Sequence, residues 1–320
     1  MTPDWTWHGG ALEAAKRHFG TGDRPWLDLS TGINPHRWPG SDTIAIDWHR
    51  LPEREALADL EAAAAAHFGT APHYVCAVPG SEIGLRLVGQ IIGGSAHYVA
   101  PSYRTHGEIF AKVIPVGRSE AKDTEGTLLL ANPNNPDGCL TDTGQLQARK
   151  GWLLVDEAFA DCTRAISAAP KVSDDARLIL FRSFGKFFGL AGVRLGFVVG
   201  PPVLLDPLRA LLGAWPVSAA AIAIGTAAYR DRRWIEAMRA QLDHEAVTLD
   251  TVLLRHGLAA TGDCPLFRLI ETDNARGLFE RLAHAAILTR PFADQPRWLR
   301  LGLPGSDEAL ARLEGALAHG

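Results

Sequence analysis

Short apolar runs recur through the middle of the chain, each followed by a polar cluster and then by residues at helical spacing. Tyr74–Val78, Ala96–Ala100, Val113–Val116, Thr127–Ala131, Trp152–Val155, Leu178–Phe181 and Phe197–Val199 read as strands. Their near-continuous apolar character marks strands covered on both faces. Alternation with helices makes such strands a mostly parallel, doubly wound α/β sheet. Helices are expected at Pro52–Phe68, closed by Gly69, and at Glu82–Ile92, with shorter ones at Ser102–Phe110 and Asp142–Arg149.

The pattern changes after Gly200-Pro201-Pro202. Helical spacing dominates Val203–Leu212, Ser218–Arg230 and Trp234–Arg255, and strands at Leu266–Ile270 and Trp298–Leu303 flank a helix at Asn274–Ala285. A last helix is expected from Asp307 to Ala318, with Ser306 as its N-cap. At the other end, a helix at Ala11–Phe19 precedes an apolar run at Trp26–Leu29 and the loop Ser30-Thr31-Gly32-Ile33-Asn34-Pro35. The expected organisation is an arm at 1–38 packing on the active site, a large domain at 39–212 and a smaller α+β domain at 213–320.

Composition removes several classes of function. A chain of 320 residues with 47% apolar and 21% charged residues can bury a sizeable core. A net charge of -4 offers no basic excess for a nucleic-acid partner. Cys76, Cys139, Cys162 and Cys264 lie far apart, so buried thiols of a reducing compartment are expected, with no zinc site, no other metal and no disulfide frame. The first thirty residues carry no signal-peptide core. The weakly polar stretch from Trp215 to Tyr229 is too short to span a bilayer. A cytoplasmic protein with no membrane partner is expected.

Ligands of doubly wound sheets bind at the carboxyl ends of strands. Four polar clusters stand there: Pro79-Gly80-Ser81-Glu82, Asn132-Pro133-Asn134-Asn135-Pro136-Asp137-Gly138, Asp156-Glu157 and Ser183-Phe184-Gly185-Lys186. Singly, a lysine after a strand is a surface residue and an aspartate is a helix cap. Four clusters in one register point to one ligand site.

Their order and content resemble the fold-type-I pyridoxal-phosphate enzymes, the aspartate-aminotransferase superfamily. The likeness runs from about Leu51 to Leu303 and is most specific at Ser183-Phe184-Gly185-Lys186 with Arg194 eight residues on. It implies pyridoxal 5'-phosphate as cofactor, Lys186 as the Schiff-base lysine and Asp156 as the partner of the pyridinium nitrogen. Asn135 is implied as donor to the ring's phenolate oxygen, Tyr103 as the stacking aromatic and His106 as the residue backing Asp156. Gly80, Ser81 and Glu82 at a helix start, with Ser183 and Arg194, are implied to hold the phosphate. Arg300 is similar to the family's carboxylate arginine, and Arg290 to an added arginine of the branch acting on phosphorylated substrates. The family builds its sites at dimer interfaces, so a homodimer is expected.

The opening His8-Gly9-Gly10 and Asp28–Pro35 look like those of the threonine-phosphate decarboxylases of cobalamin biosynthesis. That resemblance implies decarboxylation of L-threonine O-3-phosphate to (R)-1-amino-2-propanol O-2-phosphate, with His8 and Asn34 closing over a small phosphorylated amino acid. Two readings stay beside it: a histidinol-phosphate-type aminotransferase, and a non-catalytic partner in corrin assembly. Two positions depart from the family pattern. Phe159 stands where many members carry a tyrosine, and Leu51 where a tyrosine often reaches from a second subunit.

Overall fold

The computed structural model describes residues 5, 9–20, 22, 24–147 and 149–318. Its elements run α1 (Leu12–Phe19), β1 (Leu27–Asp28), α2 (Arg54–Phe68), β2 (Val75–Val78), α3 (Ser81–Ile92), β3 (Ser95–Val99) and β4 (Lys112–Val116). There follow β5 (Thr127–Ala131), β6 (Leu153–Asp156), β7 (Leu178–Ser183), α4 (Phe184–Phe187), β8 (Gly196–Val199), α5 (Pro202–Leu212), α6 (Ala219–Arg230) and α7 (Arg232–Arg255). The last are β9 (Ala260–Thr261), β10 (Phe267–Glu271), α8 (Ala275–His284), β11 (Ile287–Leu288), β12 (Arg290–Pro291), β13 (Trp298–Gly302) and α9 (Asp307–Ala318).

The chain divides into two compact units. The larger holds residues 37–135 and 140–237; the other holds residues up to 36, 136–139 and 238 onward. The sequence placed breaks at 38/39 and 212/213. The second falls later because α6 lies flat on α2: a Cβ at Gly225 would come within 2.8 Å of Leu60 and 2.6 Å of Leu195. The N-terminal segment joins the other unit because β1 pairs in parallel with β11, and the amide of Gly302 donates to Leu29 O at 2.7 Å.

The larger unit is built on a seven-stranded sheet of order β2-β8-β7-β6-β5-β3-β4. Strand β8 runs antiparallel to both neighbours and the other pairs are parallel, as the apolar runs require. Strands β2, β5, β6 and β8 are buried at every residue, so each is apolar on both faces. The register aligns their ends. Ala131 sits opposite Asp156, and Asp156 opposite Phe181. Gly196 of β8 faces both Ser183 and Val78. The polar clusters after β2, β5, β6 and β7 therefore emerge along one edge.

Among the described residues, two expected helices do not form. Residues 102–110 and 142–147 make only single 3₁₀ turns, at Arg104–Gly107 and Thr143–Leu146. Each segment carries an internal glycine, Gly107 or Gly144, which costs about 1 kcal/mol against alanine within a helix. Strand β7 runs two residues further than its apolar run, so Arg182 and Ser183 belong to the sheet. The other unit carries a four-stranded antiparallel sheet of order β12-β13-β10-β9. Ser218, Asn274 and Ser306 cap their helices through side-chain oxygens. The four cysteines are free thiols; Cys76, Cys162 and Cys264 are buried and Cys139 is partly so. Among the described residues no helix is long and apolar enough to cross a membrane.

Helix α3 packs so closely that a Cβ at Gly89 would stand 2.2 Å from the carbonyl oxygen of Ile109, whereas one at Gly315 in α9 meets open space. The same substitution has opposite effects at the two sites. Gly89→Ala destabilises by about 1–3 kcal/mol, because a backbone carbonyl cannot swing aside. Gly315→Ala stabilises by about 0.5–1 kcal/mol through helix propensity. Urea midpoints of the two variants against wild type measure both.

Candidate active site

The aligned strand ends enclose a cavity in the larger unit. Its walls include Gly80, Ser81, Glu82, Tyr103, Asn135, Asp156, Ser183, Lys186 and Arg194, with Ala158 and Phe159. Of the cofactor residues expected from the sequence, only His106 lies outside this wall, and it stands directly behind it.

Asp156 ends β6 almost fully buried. Its Oδ1 accepts from the amide of Ala158 at 3.1 Å, and its Oδ2 lies 3.1 Å from His106 Nε2. An ionised carboxylate only accepts, so Nε2 carries the hydrogen of that contact. His106 is completely buried, and its Nδ1 lies 3.1 Å from Ser102 Oγ. The sequence singled out His106 but attached no role to Ser102, a common loop residue. Tyr103 meets His106 edge to face at 5.8 Å. Burial, reinforced by the nearby Glu82 carboxylate, pushes the Tyr103 phenol up to about 12.

Lys186 sits in the single turn of α4, directly after β7. The turn is held by aromatic rings. Phe184 stacks on Phe188 at 4.6 Å, Phe188 stacks on Trp234 at 5.6 Å, and Phe187 meets Trp234 edge-on. A Cβ at Gly185 would stand 2.5 Å from the Cα of Ala191, so the turn closes against its own following loop. Lys186 Nζ lies 5.7 Å from the centre of the Phe159 ring. That ring offers no hydroxyl where a tyrosine would.

At the other end of the cavity, Gly80 precedes α3 with φ +95°, and Arg194 adopts a left-handed backbone at φ 55°. A Cβ at Gly80 would stand 2.8 Å from Arg194 Nη2, so the bare glycine is what lets the guanidinium reach the helix start. A helix N-terminus, a hydroxyl at Ser183 and an arginine fork form a cup for a phosphate dianion. The Glu82 carboxylate accepts from Arg86 Nε at 2.8 Å and Thr105 Oγ1 at 3.0 Å. Its side chain is therefore committed elsewhere, and its place in the cup is that of a residue in the first turn of α3. In the loop after β5, Asn132 exchanges two hydrogen bonds with the backbone of Thr141, and Asn134 donates to Pro101 O. Those two asparagines shape the loop that presents Asn135. An amine, a buried carboxylate, an aromatic ring and an anion cup together suit a flat, phosphate-bearing heteroaromatic aldehyde.

The remaining expected residues belong to the other unit. Arg290 and Arg300 are cross-strand partners in β12 and β13. Arg300 is buried, donates from Nη2 to Ser30 O at 3.0 Å, and lies over the Phe267 ring at 5.0 Å. Burial and the neighbouring Arg290 charge push it down to about 9. A guanidinium keeps its proton at neutral pH, so the pair remains a double positive charge suited to an anion. Asn34 is buried and its Oδ1 accepts from the amide of His36 at 2.8 Å. His8 lies outside the described residues.

The family model for aminotransferase class I and II matches residues 117–317. The chain is 39% identical to the threonine-phosphate decarboxylase of Pseudomonas aeruginosa, over 97% of this chain and 96% of that protein. It is 38% identical to a threonine-phosphate decarboxylase of a Sinorhizobium species, over 98% and 97%. Histidinol-phosphate aminotransferase 1 of Cupriavidus pinatubonensis is similar at 27% identity, over 97% and 93%. The structure of histidinol-phosphate aminotransferase from Sinorhizobium meliloti, in complex with pyridoxal-5'-phosphate, superposes with TM-score 0.83 at 20% identity, over 100% of this chain and 96% of that one.

The Gly80–Arg194 approach has a direct test. Gly80→Ala forces both a strained φ and a displaced guanidinium, and lowers stability by about 1–3 kcal/mol. In thermal melts, inorganic phosphate raises the midpoint of the wild type more than that of the variant; equal protection by phosphate would show that the cup does not use this approach.

Proposed function

The chain belongs to the aminotransferase class I and II family, and within it we propose the activity of a threonine-phosphate decarboxylase. With pyridoxal 5'-phosphate as cofactor, the enzyme converts L-threonine O-3-phosphate to (R)-1-amino-2-propanol O-2-phosphate, the aminopropanol arm of cobalamin. The observation that carries this reading is the near-full-length identity to proteins of that name, well above that to the named aminotransferase.

When bound, the cofactor supplies an electron sink for the pair released at the substrate's α-carbon. The residues do the rest. Lys186 would hold the cofactor through its aldehyde carbon and would carry the proton returned to the substrate's α-carbon. Asp156, fixed by His106, would pair with the protonated ring nitrogen. Ser183, Arg194 and the start of α3 at Gly80, Ser81 and Glu82 would hold the phosphate. Tyr103 would pack on the ring, and Asn135 would donate to the phenolate oxygen without help from Phe159.

Arg300 and Arg290 are assigned to the substrate's anionic groups, with Asn34 and His8 as further polar contacts. Decarboxylation and transamination share all these parts. The residues that anchor the substrate's carboxylate would select between them, because they set which bond to the α-carbon is oriented for cleavage. Loss of carbon dioxide and gain of one proton at that carbon give the product amine.

The same reading takes the enzyme as a cytoplasmic homodimer. Free thiols suit a reducing compartment. Trp48, Leu51 and Trp215 are 76%, 62% and 57% exposed and share one groove, an apolar patch that a second copy would cover.

Purified holoenzyme given threonine phosphate releases carbon dioxide and aminopropanol phosphate without any keto acid. Glutamate formation from histidinol phosphate and 2-oxoglutarate, with no carbon dioxide from threonine phosphate, would assign it as an aminotransferase instead. Arg300→Gln removes a charge-assisted hydrogen bond and lowers kcat/KM on the order of 10- to 100-fold. An unchanged kcat/KM would remove Arg300 from the substrate site.

A further inference from the structure

We infer that Arg182 is a positioning residue for the cavity, holding against β7 the segment that follows Asp156 and supplies Ala158 and Phe159 to the cavity wall. This rests on the cofactor reading given above. Successive residues of a strand face opposite ways. Ser183 lines the cavity, and Arg182, one residue earlier, is 2% exposed with its guanidinium 4.4 Å over the Phe68 ring of α2.

Three groups fix that guanidinium. Nη1 donates to Glu157 Oε2 at 2.7 Å and to Ser167 Oγ at 3.0 Å, and Nη2 donates to Asp161 Oδ1. The carboxylates are themselves held. Glu157 accepts from the amide of Ala168 at 2.7 Å and from Ser167 Oγ at 2.6 Å, and Asp161 lies 2.9 Å from His67 Nε2. Burial would raise Asp161, but the facing Arg182 charge and the His67 contact outweigh it and hold the carboxyl below its usual range. The β6–β7 ladder ends at Glu157, whose amide donates to Phe181 O at 2.8 Å, and from there to Lys171 the backbone makes only 3₁₀ turns. Beyond that point the clamp takes the ladder's place. It begins one residue after Asp156 and one residue before Ser183, and the same segment supplies Ala158 and Phe159 to the cavity wall.

Two features separate this role from plain stability. None of Arg182, Glu157, Asp161, Ser167 and His67 lines the cavity, so none touches a ligand there. A buried ion network also gives little net stability compared with apolar packing of the same shape. What a guanidinium bridging two carboxylates does give is a fixed distance and angle between the segment that carries them and the strand that carries the arginine.

Arg182→Lys keeps the charge but cannot fork between two carboxylates. It is compared, as holoenzyme, with wild type and with a core variant of matched thermal midpoint at Leu60, which lies in α2. The pH midpoint of the bound cofactor's visible absorbance moves by about half a unit or more in Arg182→Lys and stays at the wild-type value in the control. Its kcat falls on the order of 10- to 100-fold, while KM stays within about twofold. A midpoint and kcat equal to those of the control overturn the proposal. If Arg182→Lys does not fold, Asp161→Asn, which keeps the shape and loses the charge, carries the same comparison. A wild type with no visible cofactor band overturns the cofactor reading and this proposal with it. A normal wild-type band with no difference between variant and control overturns this proposal alone.

Discussion

The contact on which the site depends is the 3.1 Å approach of His106 Nε2 to Asp156 Oδ2. A carboxylate at the end of a fully buried strand is costly unless hydrogen-bonded. The Ala158 amide satisfies one oxygen and the histidine the other. Because the carboxylate is solvated by fixed protein groups, its orientation is set before any ligand binds, and on the function proposed above a ring nitrogen would meet it with little reorganisation. That orientation depends in turn on sheet register. Asp156 is paired with Ala131 on one side and Phe181 on the other, so a slip of one residue in β6 would turn it to the opposite face.

How much of this was legible in the sequence follows from distance along the chain. Lys186, Asp156, Asn135 and Gly80 could be singled out because each closes an apolar run, and parallel strands bring such endings to one edge. The fold class was legible for the same reason. Arg182 gave no such signal: it reads as one charge at the end of Leu178–Phe181, and its partners at 67, 157 and 161 are reached only by folding. Local pattern also failed where a glycine interrupts a segment of helical composition, as at Gly107 and Gly144. The expected division put α6 with the later helices because its packing partner, α2, lies far upstream.

The charge distribution carries a related lesson. A chain of net charge -4 offers anions no general attraction. Its cations for ligands are local: Arg194 beside a helix start, and Arg290 opposite Arg300 across two strands. Arg194 is exposed, donates to Ala191 O, and adopts a left-handed backbone beside the bare Gly80. Arg300 is buried next to the like charge of Arg290, and both lower its affinity for its own proton. On the function proposed above, an anion bound at that pair would offset the repulsion.

Strands β6 and β7 thus serve two chemistries on opposite faces. On one, Asp156 and Ser183 line the cavity. On the other, Glu157 and Arg182 are buried, with the guanidinium over the Phe68 ring. The alternation of side chains along a strand makes this division unavoidable, since each residue of the first kind has a neighbour of the second. A polar neighbour on the sealed face must be paired or it destabilises the sheet, and a paired one stiffens the backbone it shares with the reactive residue. The loop held from behind by Glu157 and Asp161 places the Phe159 ring in the wall, 5.7 Å from Lys186 Nζ.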